Sequence, residues 1–286
     1  MMKPELIRSD KPPIAIQMME MGFDVFLGNI AGCRYCQEND FYTPEDPEFW
    51  QMDWRQYGQY DMPAFVGEIR KRNGGKKVAY VGHSQGTTQA FAGMGLIPEW
   101  YDENISTAAF LGPCATPNWE QIKDIYVESD IRWMRDNGIY GLNYSGDLWK
   151  EQKEFIMAEG PPGVQALVGD PVILWNVPVQ ALEAYCQTSQ TQRFQEYESE
   201  WNWQVPPHTP LLDFGKVKEM KVAMYVGLFD RTCPVTQAEM IRKQLGESTV
   251  VNYVVAPWQG HTPWGLSQGE WFVNDLSETL MINADL

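Results

Sequence analysis

Basic residues are scarce in this sequence. Its 286 residues include 22 lysines and arginines against 38 aspartates and glutamates, which gives a formal net charge of −16. Nucleic acids and anionic membrane surfaces are bound through basic patches. The charge balance therefore argues against both as partners, and the simplest interpretation of the acidic surplus is a solvated surface.

Long apolar runs are also lacking. No stretch approaches the roughly 18 to 20 apolar residues that a membrane-spanning helix needs, so no membrane span is predicted. Residues 1–8 contain no apolar segment of the kind that a signal peptide carries. No signal peptide is therefore expected, and an intracellular location is favoured.

Cysteines are few and widely scattered. There are five of them, an odd number, and this pattern favours reduced thiols in a reducing compartment. Cys33 and Cys36 form a C-x-x-C pair, but no second pair or neighbouring histidine completes a zinc site. Neither a metal nor a cofactor is therefore expected.

The most informative stretch is residues 77–88, KVAYVGHSQGTT. Strand-forming residues lead into a Gly-x-Ser-x-Gly turn, and small helix-compatible residues follow. A serine on such a turn projects its hydroxyl above the edge of the sheet, while the glycines let neighbouring backbone approach. The N–H of Gln85 would point to where a negatively charged oxygen forms. The motif alone also occurs in ordinary turns, but its strand–turn–helix context favours Ser84 as a nucleophile.

Strands and helices alternate on both sides of a helical middle region. Strands are predicted at residues 23–27, 78–81, 106–111, 221–227 and 249–256, and helices at 14–21, 50–72, 87–95, 234–245 and 268–282. This alternation implies an α/β protein whose mainly parallel sheet is covered on both faces. The middle region has little strand pattern and is rich in Trp, Tyr and Gln. The predicted organisation is a first core part at 1–114, a helical cap at 115–206 and a second core part at 207–286.

Only three histidines are available to activate a serine. His83 lies in the tight turn and is expected to pack or hydrogen bond, and His208 lies in a proline-rich loop. His261 follows a predicted strand, and parallel α/β sheets build their sites at that end of their strands. The base needs an orienting acid. Asp230, at the end of an earlier strand, is the candidate, although it could instead cap the next helix. The order Ser84, Asp230, His261 is that of α/β-hydrolases.

Further segments resemble the acid lipase family of α/β-hydrolases, which includes the gastric and lysosomal acid lipases. They are GFDVFLGN at 22–29, PEDPEFW at 44–50, YDMPA at 60–64, GHSQGTT at 82–88 and LDFGKV at 212–217. The resemblance runs from about residue 16 to the C-terminus. It implies that Ser84 is the nucleophile, Asp230 the acid, His261 the base and the Gln85 amide one half of the oxyanion hole. It also implies a lipid ester substrate, with residues 115–206 as a lid over the acyl chain.

The sequence departs from the family pattern in two places. Residues 29–32, NIAG, lack the arginine that family members carry after the early strand. The family's first strands, and the His-Gly loop that donates the second oxyanion amide, should precede about residue 11. We therefore expect either that residues 23–27 and 78–81 pair directly, or that a second polypeptide completes the sheet.

Two functions from different classes are compatible with these observations. The first is a serine hydrolase of lipid carboxylic esters, which the complete triad favours. The second is a catalytically weak or inactive hydrolase-fold subunit with a structural role in a larger complex, which the missing oxyanion loop favours. Loss of one oxyanion donor costs about 10² to 10³ in rate, which leaves room for activity, so the hydrolase is the preferred hypothesis.

Overall fold

A computed structural model describes residues 12–123, 127–142, 146–169, 176–261, 264 and 270–284. The strands are β1 (Val78–His83), β2 (Ile105–Leu111), β3 (Gly141–Leu142), β4 (Val177–Pro178), β5 (Lys221–Gly227) and β6 (Val250–Ala256). The α-helices are α1 (Ile14–Glu20), α2 (Trp54–Gln56), α3 (Met62–Arg72), α4 (Gln85–Leu96), α5 (Pro98–Asn104), α6 (Trp119–Ile122), α7 (Glu128–Asp136), α8 (Gly146–Glu159), α9 (Pro162–Gly169), α10 (Val179–Thr191), α11 (Val235–Leu245) and α12 (Glu270–Ile282). Shorter turns are the 3-10 helices Pro47–Trp50 and Phe214–Lys216 and the π-helix Tyr57–Asp61. The predicted start of the last helix, at residue 268, lies outside the described residues.

The chain divides into two compact units. The sheet unit comprises Met1–Gly28, Gly58–Ala115 and Leu212–Leu286, and the helical unit comprises Asn29–Tyr57 and Thr116–Leu211. Among the described helices of both units, none is long and apolar enough to cross a membrane.

The sheet unit is built on four parallel strands in the order β1-β2-β5-β6. The central strands β2 and β5 are buried along almost their whole length, as parallel strands covered on both faces are. Leu111 packs with Phe272 of α12 in one core cluster. Side chains alternate along a strand, so Phe110 faces the other side, where its ring lies 4.7 Å from that of Phe91 in α4. The expected α/β architecture with a mainly parallel sheet is confirmed.

Residues 23–27 form no strand, contrary to the prediction from sequence. The Phe23 N–H donates to the carbonyl of Met18, so the segment begins in the turn that ends α1. Phe23 and Val25 are half-buried against the core of the sheet unit, whereas Leu27 is 78% exposed. Their apolar character therefore serves packing against the core. Direct pairing with β1 is absent from the described part of the chain, where β1 has β2 on one side and no strand on the other.

The single helix expected over residues 50–72 is interrupted. After the 3-10 turn, a new helix begins at a capping box in which Asp53 accepts the N–H of Arg55 while the Gln56 side chain accepts the N–H of Asp53. Such a box satisfies donors that a helix start leaves unpaired. The periodic aromatic residues in this stretch therefore belong to several short helical segments.

Cys114 and Cys233 form a disulfide with their Cα atoms 5.3 Å apart. The expectation of reduced thiols is therefore wrong for this pair, although Cys33, Cys36 and Cys186 are in no disulfide. The two cysteines are 119 residues apart in sequence, yet each follows a central strand. Because β2 and β5 are hydrogen-bonded neighbours, their ends bring the two side chains together.

The helical unit differs from the predicted cap in its limits. Residues 29–57, which we expected in the first core part, group with residues 116–211. Side-chain contacts explain the grouping. They are the hydrogen bonds from Asn176 to the Gly32 carbonyl (2.8 Å) and from Gln180 to Asp53 (2.9 Å), and the stacking of Trp54 on Phe194 (5.0 Å).

The aromatic residues of the predicted cap mostly pack inside the helical unit. Trp201 and Trp203 are buried, with ring centroids 4.2 Å apart, in the core of this unit, and Trp149 packs against the same core. Tyr185 is half-buried, and Trp175 lies outside the described residues. The buried tryptophans therefore serve the stability of the unit itself.

Candidate active site

Ser84 lies at the sharp turn between β1 and α4. Its φ of 52° and ψ of −115° are rare for a residue that carries a side chain. The turn is tight enough that a Cβ on Gly82 would lie 2.8 Å from the backbone carbonyl of Gly86, so a glycine is required at position 82. This constrained backbone holds the serine side chain at the carboxyl edge of the parallel sheet.

The N–H of Gln85 is available beside this serine. Gln85 is the first residue of α4, so its N–H has no acceptor within the helix. The N-terminal end of a helix also favours negative charge. The arrangement therefore suits a donor to a developing oxyanion.

The structure brings Ser84, His261 and Asp230 together. His261 Nδ1 lies 2.7 Å from Asp230 Oδ2, and His261 Nε2 lies 2.7 Å from Ser84 Oγ. A carboxylate oxygen accepts, so Nδ1 donates, and in the neutral ring Nε2 then accepts the serine hydroxyl proton. The Asp230 side chain is fully buried, and that of His261 is 18% exposed. This geometry can transfer a proton from the serine to the imidazole.

Asp230 uses its second oxygen within its own loop. Oδ1 accepts the N–H of Cys233 at 2.8 Å. Pro234 is the N-cap residue of α11, and no side chain caps that helix. Asp230 therefore does not act as the helix cap that its sequence position also allowed.

The two other histidines lie outside this proton path. The Nε2–H of His83 donates to the backbone carbonyl of His261 at 2.7 Å. Burial lowers the pKa of His83, which favours the neutral ring that makes this bond. His83 therefore supports the backbone of His261. His208 is exposed in a loop. The residues that follow His261 in its motif, Thr262 and Pro263, lie outside the described residues.

Two glycines at strand ends shape the site, and sequence reasoning missed their role. A Cβ on Gly112, after β2, would lie 3.4 Å from His261 Nδ1 and 3.5 Å from Asp230 Oδ2. A Cβ on Gly227, at the end of β5, would lie 2.6 Å from the carbonyl oxygen of Gln259. Each glycine ends a predicted strand, and that position was the signal that could have identified it.

The described residues contain no group of three or more His, Cys, Asp or Glu side chains that could hold a metal ion.

Comparison with known proteins identifies the class of fold. The family model described as the alpha/beta hydrolase fold matches residues 9–146. The chain superposes on the structure of DcsB in complex with its substrate analogue with a TM-score of 0.56 at 15% identity, covering 94% of this chain and 84% of that one. At this identity the likeness concerns the fold. The parallel sheet and these matches together define an α/β-hydrolase fold.

Within that class the similarity is to lipases. The gastric triacylglycerol lipase of Bos taurus is 39% identical over 106 residues, which cover 37% of this chain and 26% of the lipase. The gastric triacylglycerol lipase of Homo sapiens is 38% identical over 103 residues, which cover 36% of this chain and 26% of that lipase. The chain thus spans about a quarter of the length of these curated relatives. The chain therefore has the α/β-hydrolase fold and is similar to these acid lipases over about a third of its own length.

Proposed function

We propose that this chain is a serine hydrolase of lipid carboxylic esters and that Ser84, His261 and Asp230 are its catalytic triad. The observation that carries the proposal is the pair of 2.7 Å contacts that joins the serine hydroxyl through the imidazole to a buried carboxylate. The three residues follow three different strands of one parallel sheet, where sites of this class are built. The strained backbone of Ser84 supports the same assignment, because strain of this kind clusters at active sites.

In the proposed reaction, His261 Nε2 takes the Ser84 hydroxyl proton as Oγ bonds to the ester carbonyl carbon. The N–H of Gln85 stabilises the negative charge on the carbonyl oxygen. The bond to the alcohol then breaks, His261 returns the proton to the alcohol oxygen, and an acyl-serine remains. Water attacks the acyl-serine by the same route and releases the carboxylic acid. Asp230 orients the imidazole and stabilises its positive charge during both halves.

The ester class is proposed from the relatives, which are named triacylglycerol lipases. We extend the proposal to the helical unit, as a cap that binds acyl chains. In support, α8 exposes apolar side chains, with Met157 47% exposed. Met157→Gln should lower kcat/KM for a long-chain ester and leave a short-chain ester unaffected. An equal effect on both esters would argue against the cap.

A second polypeptide that completes the sheet is part of the same proposal. In the described residues β1 is an edge strand, and Val81 is 40% exposed on it. An exposed strand edge can accept a strand from a partner through backbone hydrogen bonds. Native mass spectrometry of the purified protein should then detect another polypeptide, and the amide protons of β1 should exchange more slowly in its presence. A lone chain with protected β1 amides would contradict this part of the proposal.

A fluorophosphonate ester tests the central claim. It should label the wild-type chain at Ser84, and Ser84→Ala should lose the label and about 10⁶-fold in kcat on a p-nitrophenyl fatty-acid ester. Ser248, which is exposed, provides the matched control, and Ser248→Ala should keep both. Labelling of another serine in Ser84→Ala would contradict the assignment. An unreactive wild-type chain would favour a structural subunit instead.

A further inference from the structure

The Cys114–Cys233 disulfide lies at the same edge of the sheet as the proposed triad. Cys114 follows β2 and Cys233 follows β5, and both residues are almost completely buried, with 3% and 0% of their surface exposed. Their Cα separation of 5.3 Å is ordinary for a disulfide. The bond therefore joins the carboxyl ends of the two central strands, at the edge where Ser84 and Asp230 also lie.

On one side, Cys114 is connected by hydrogen bonds to the turn that carries Ser84. The N–H of Cys114 donates to Thr87 Oγ1 at 2.8 Å, and Thr87 Oγ1 donates to the carbonyl oxygen of Ser84 at 2.7 Å. Thr88 Oγ1 donates to the carbonyl oxygen of Cys114 at 2.6 Å. Two threonine hydroxyls in the first turn of α4 thus bind Cys114 through both of its backbone polar groups.

On the other side, Cys233 is hydrogen-bonded to the Asp230 carboxylate. The N–H of Cys233 donates to Asp230 Oδ1 at 2.8 Å, and the other carboxylate oxygen faces His261. Ser84 and Asp230 are therefore connected by two separate paths. One path from Ser84 to Asp230 runs through the imidazole, and the other runs through Thr87, Cys114 and the disulfide to Cys233.

We propose that the Cys114–Cys233 disulfide is a positioning element of this site, which sets the distance between the Asp230 carboxylate and the Ser84 hydroxyl so that one imidazole can bridge them. The inference rests on the proposed hydrolase function. The path through the imidazole consists of hydrogen bonds alone and must let the imidazole take up and release a proton. The second path contains a covalent bond between the two strand ends and is not altered by the reaction. A misplacement of about 1 Å in a catalytic arrangement costs about 10²-fold in rate, so loss of this bond should reduce kcat.

The test compares the wild-type chain with Cys114→Ala/Cys233→Ala, using Cys33→Ala/Cys36→Ala as the matched double substitution at cysteines that are in no disulfide. With a p-nitrophenyl ester, the first variant should lose about 10- to 100-fold in kcat, with KM within about twofold of wild type, and the control should match wild type. Circular dichroism verifies that each variant is folded. A folded disulfide variant with wild-type kcat would overturn the proposal.

Reduction provides the same comparison without substitution. Dithiothreitol converts the disulfide to two thiols and becomes a cyclic disulfide itself, so two electrons and two protons pass to the cysteines. The reduced wild type should lose the same factor in kcat as the alanine variant, and the alanine variant should not respond. A wild-type rate that is unchanged after complete reduction, verified by alkylation of both thiols, would also overturn the proposal.

Thr87 keeps the proposal testable if the cysteine variant does not fold. Thr87→Val removes the hydroxyl that joins Cys114 to Ser84 and retains the shape of the side chain, whereas Thr87→Ser retains the hydroxyl. We expect a fall of about tenfold in kcat for Thr87→Val and recovery in Thr87→Ser. Equal kcat values for the two variants would contradict the positioning role. Failure of the hydrolase function itself is distinguishable, because the wild-type chain would then show neither fluorophosphonate labelling nor Ser84-dependent hydrolysis.

Discussion

Asp230→Asn should remove most of the activity without unfolding the chain, because the substituted amide can face in only one direction. Asp230 Oδ1 accepts the N–H of Cys233 at 2.8 Å, and Oδ2 lies 2.7 Å from His261 Nδ1. A backbone N–H can only donate, so the amide oxygen of asparagine must occupy the Oδ1 position. Its NH₂ group then occupies the Oδ2 position and donates to Nδ1.

This reversal moves the proton of the imidazole. With Nδ1 accepting, the neutral ring carries its proton on Nε2, which lies 2.7 Å from Ser84 Oγ. Nε2 can then no longer take the serine proton. A wrong tautomer of this kind costs about 10⁴ in kcat, which corresponds to about 5.4 kcal/mol of transition-state stabilisation. The folded state should be little affected, because both hydrogen bonds are still made.

The assay pairs kcat on a p-nitrophenyl ester with the free energy of unfolding in urea. Asp230→Ala is the companion variant. It leaves the Cys233 N–H unsatisfied and should lower the free energy of unfolding by about 1 to 3 kcal/mol in addition to losing activity. Asp136→Asn makes the same chemical change at an exposed residue and should alter neither quantity. A kcat for Asp230→Asn within about tenfold of wild type would refute the reasoning, since a reversed tautomer cannot sustain that rate.

Burial raises the pKa of the Glu183 carboxyl in the folded state. The stability that the protonated carboxyl contributes is therefore fully present below the unfolded-state pKa of about 4.3. It is lost as the pH rises through the folded-state pKa. Urea unfolding at several pH values should therefore show that the free energy of unfolding of Glu183→Gln increases relative to that of wild type between about pH 4 and pH 7. The control is Glu200→Gln, at an exposed residue. The Asp102 carboxylate accepts backbone N–H groups of residues 218–220 at 2.8 to 3.0 Å. Asp102→Ala should lower the free energy of unfolding by about 3 kcal/mol. Gly112 has a φ of 57°. Gly112→Ala should cost about 1 to 3 kcal/mol in unfolding free energy and lower kcat without changing KM, as steady-state kinetics would show.

For each of these three predictions, one result would contradict the reasoning. Parallel pH profiles for Glu183→Gln and wild type would mean that the buried carboxyl does not titrate differently in the folded state. An unchanged urea midpoint for Asp102→Ala would mean that the loop amides find other partners. A Gly112→Ala variant with full activity would mean that backbone strain at residue 112 does not reach His261.

Where local pattern decides structure, the sequence was sufficient. The apolar runs that became β1, β2, β5 and β6 lie between Gly, Pro and polar turns, and their predicted limits agree with the observed strands to within two residues. Ser84, Asp230 and His261 could be named as candidates because each lies in the turn or loop that follows one of these strands. Residues at the same end of parallel strands must share one edge of a sheet. A shared edge of the sheet could therefore be predicted, whereas the contact distances depend on the strand order and on the loops.

The disulfide shows what local pattern does not contain. Strand order is a tertiary property, and only the adjacency of β2 and β5 brings residues 119 positions apart into bonding distance. Counting cysteines therefore led to the wrong redox state for Cys114 and Cys233. The same limit applies to residues 23–27, whose apolar side chains satisfy a strand pattern but meet a core instead of a neighbouring strand.

Strand order also explains why two glycines are needed around the proposed triad. Ser84 follows β1, Asp230 follows β5 and His261 follows β6, so in the order β1-β2-β5-β6 the loop that carries the imidazole must cross the ends of β5 and β2 to reach the serine. The Cβ positions of Gly227 and Gly112, 2.6 Å from the Gln259 carbonyl oxygen and 3.4 Å from His261 Nδ1, show that this loop lies close against both strand ends. Each of them carries a glycine there. A Cβ at Gly227 would collide with the backbone of the loop. Gly112 has a φ of 57°, which a side chain would strain, and its Cβ would lie in van der Waals contact with Asp230 and His261. The glycines are thus a consequence of placing acid and nucleophile on strands that another strand separates.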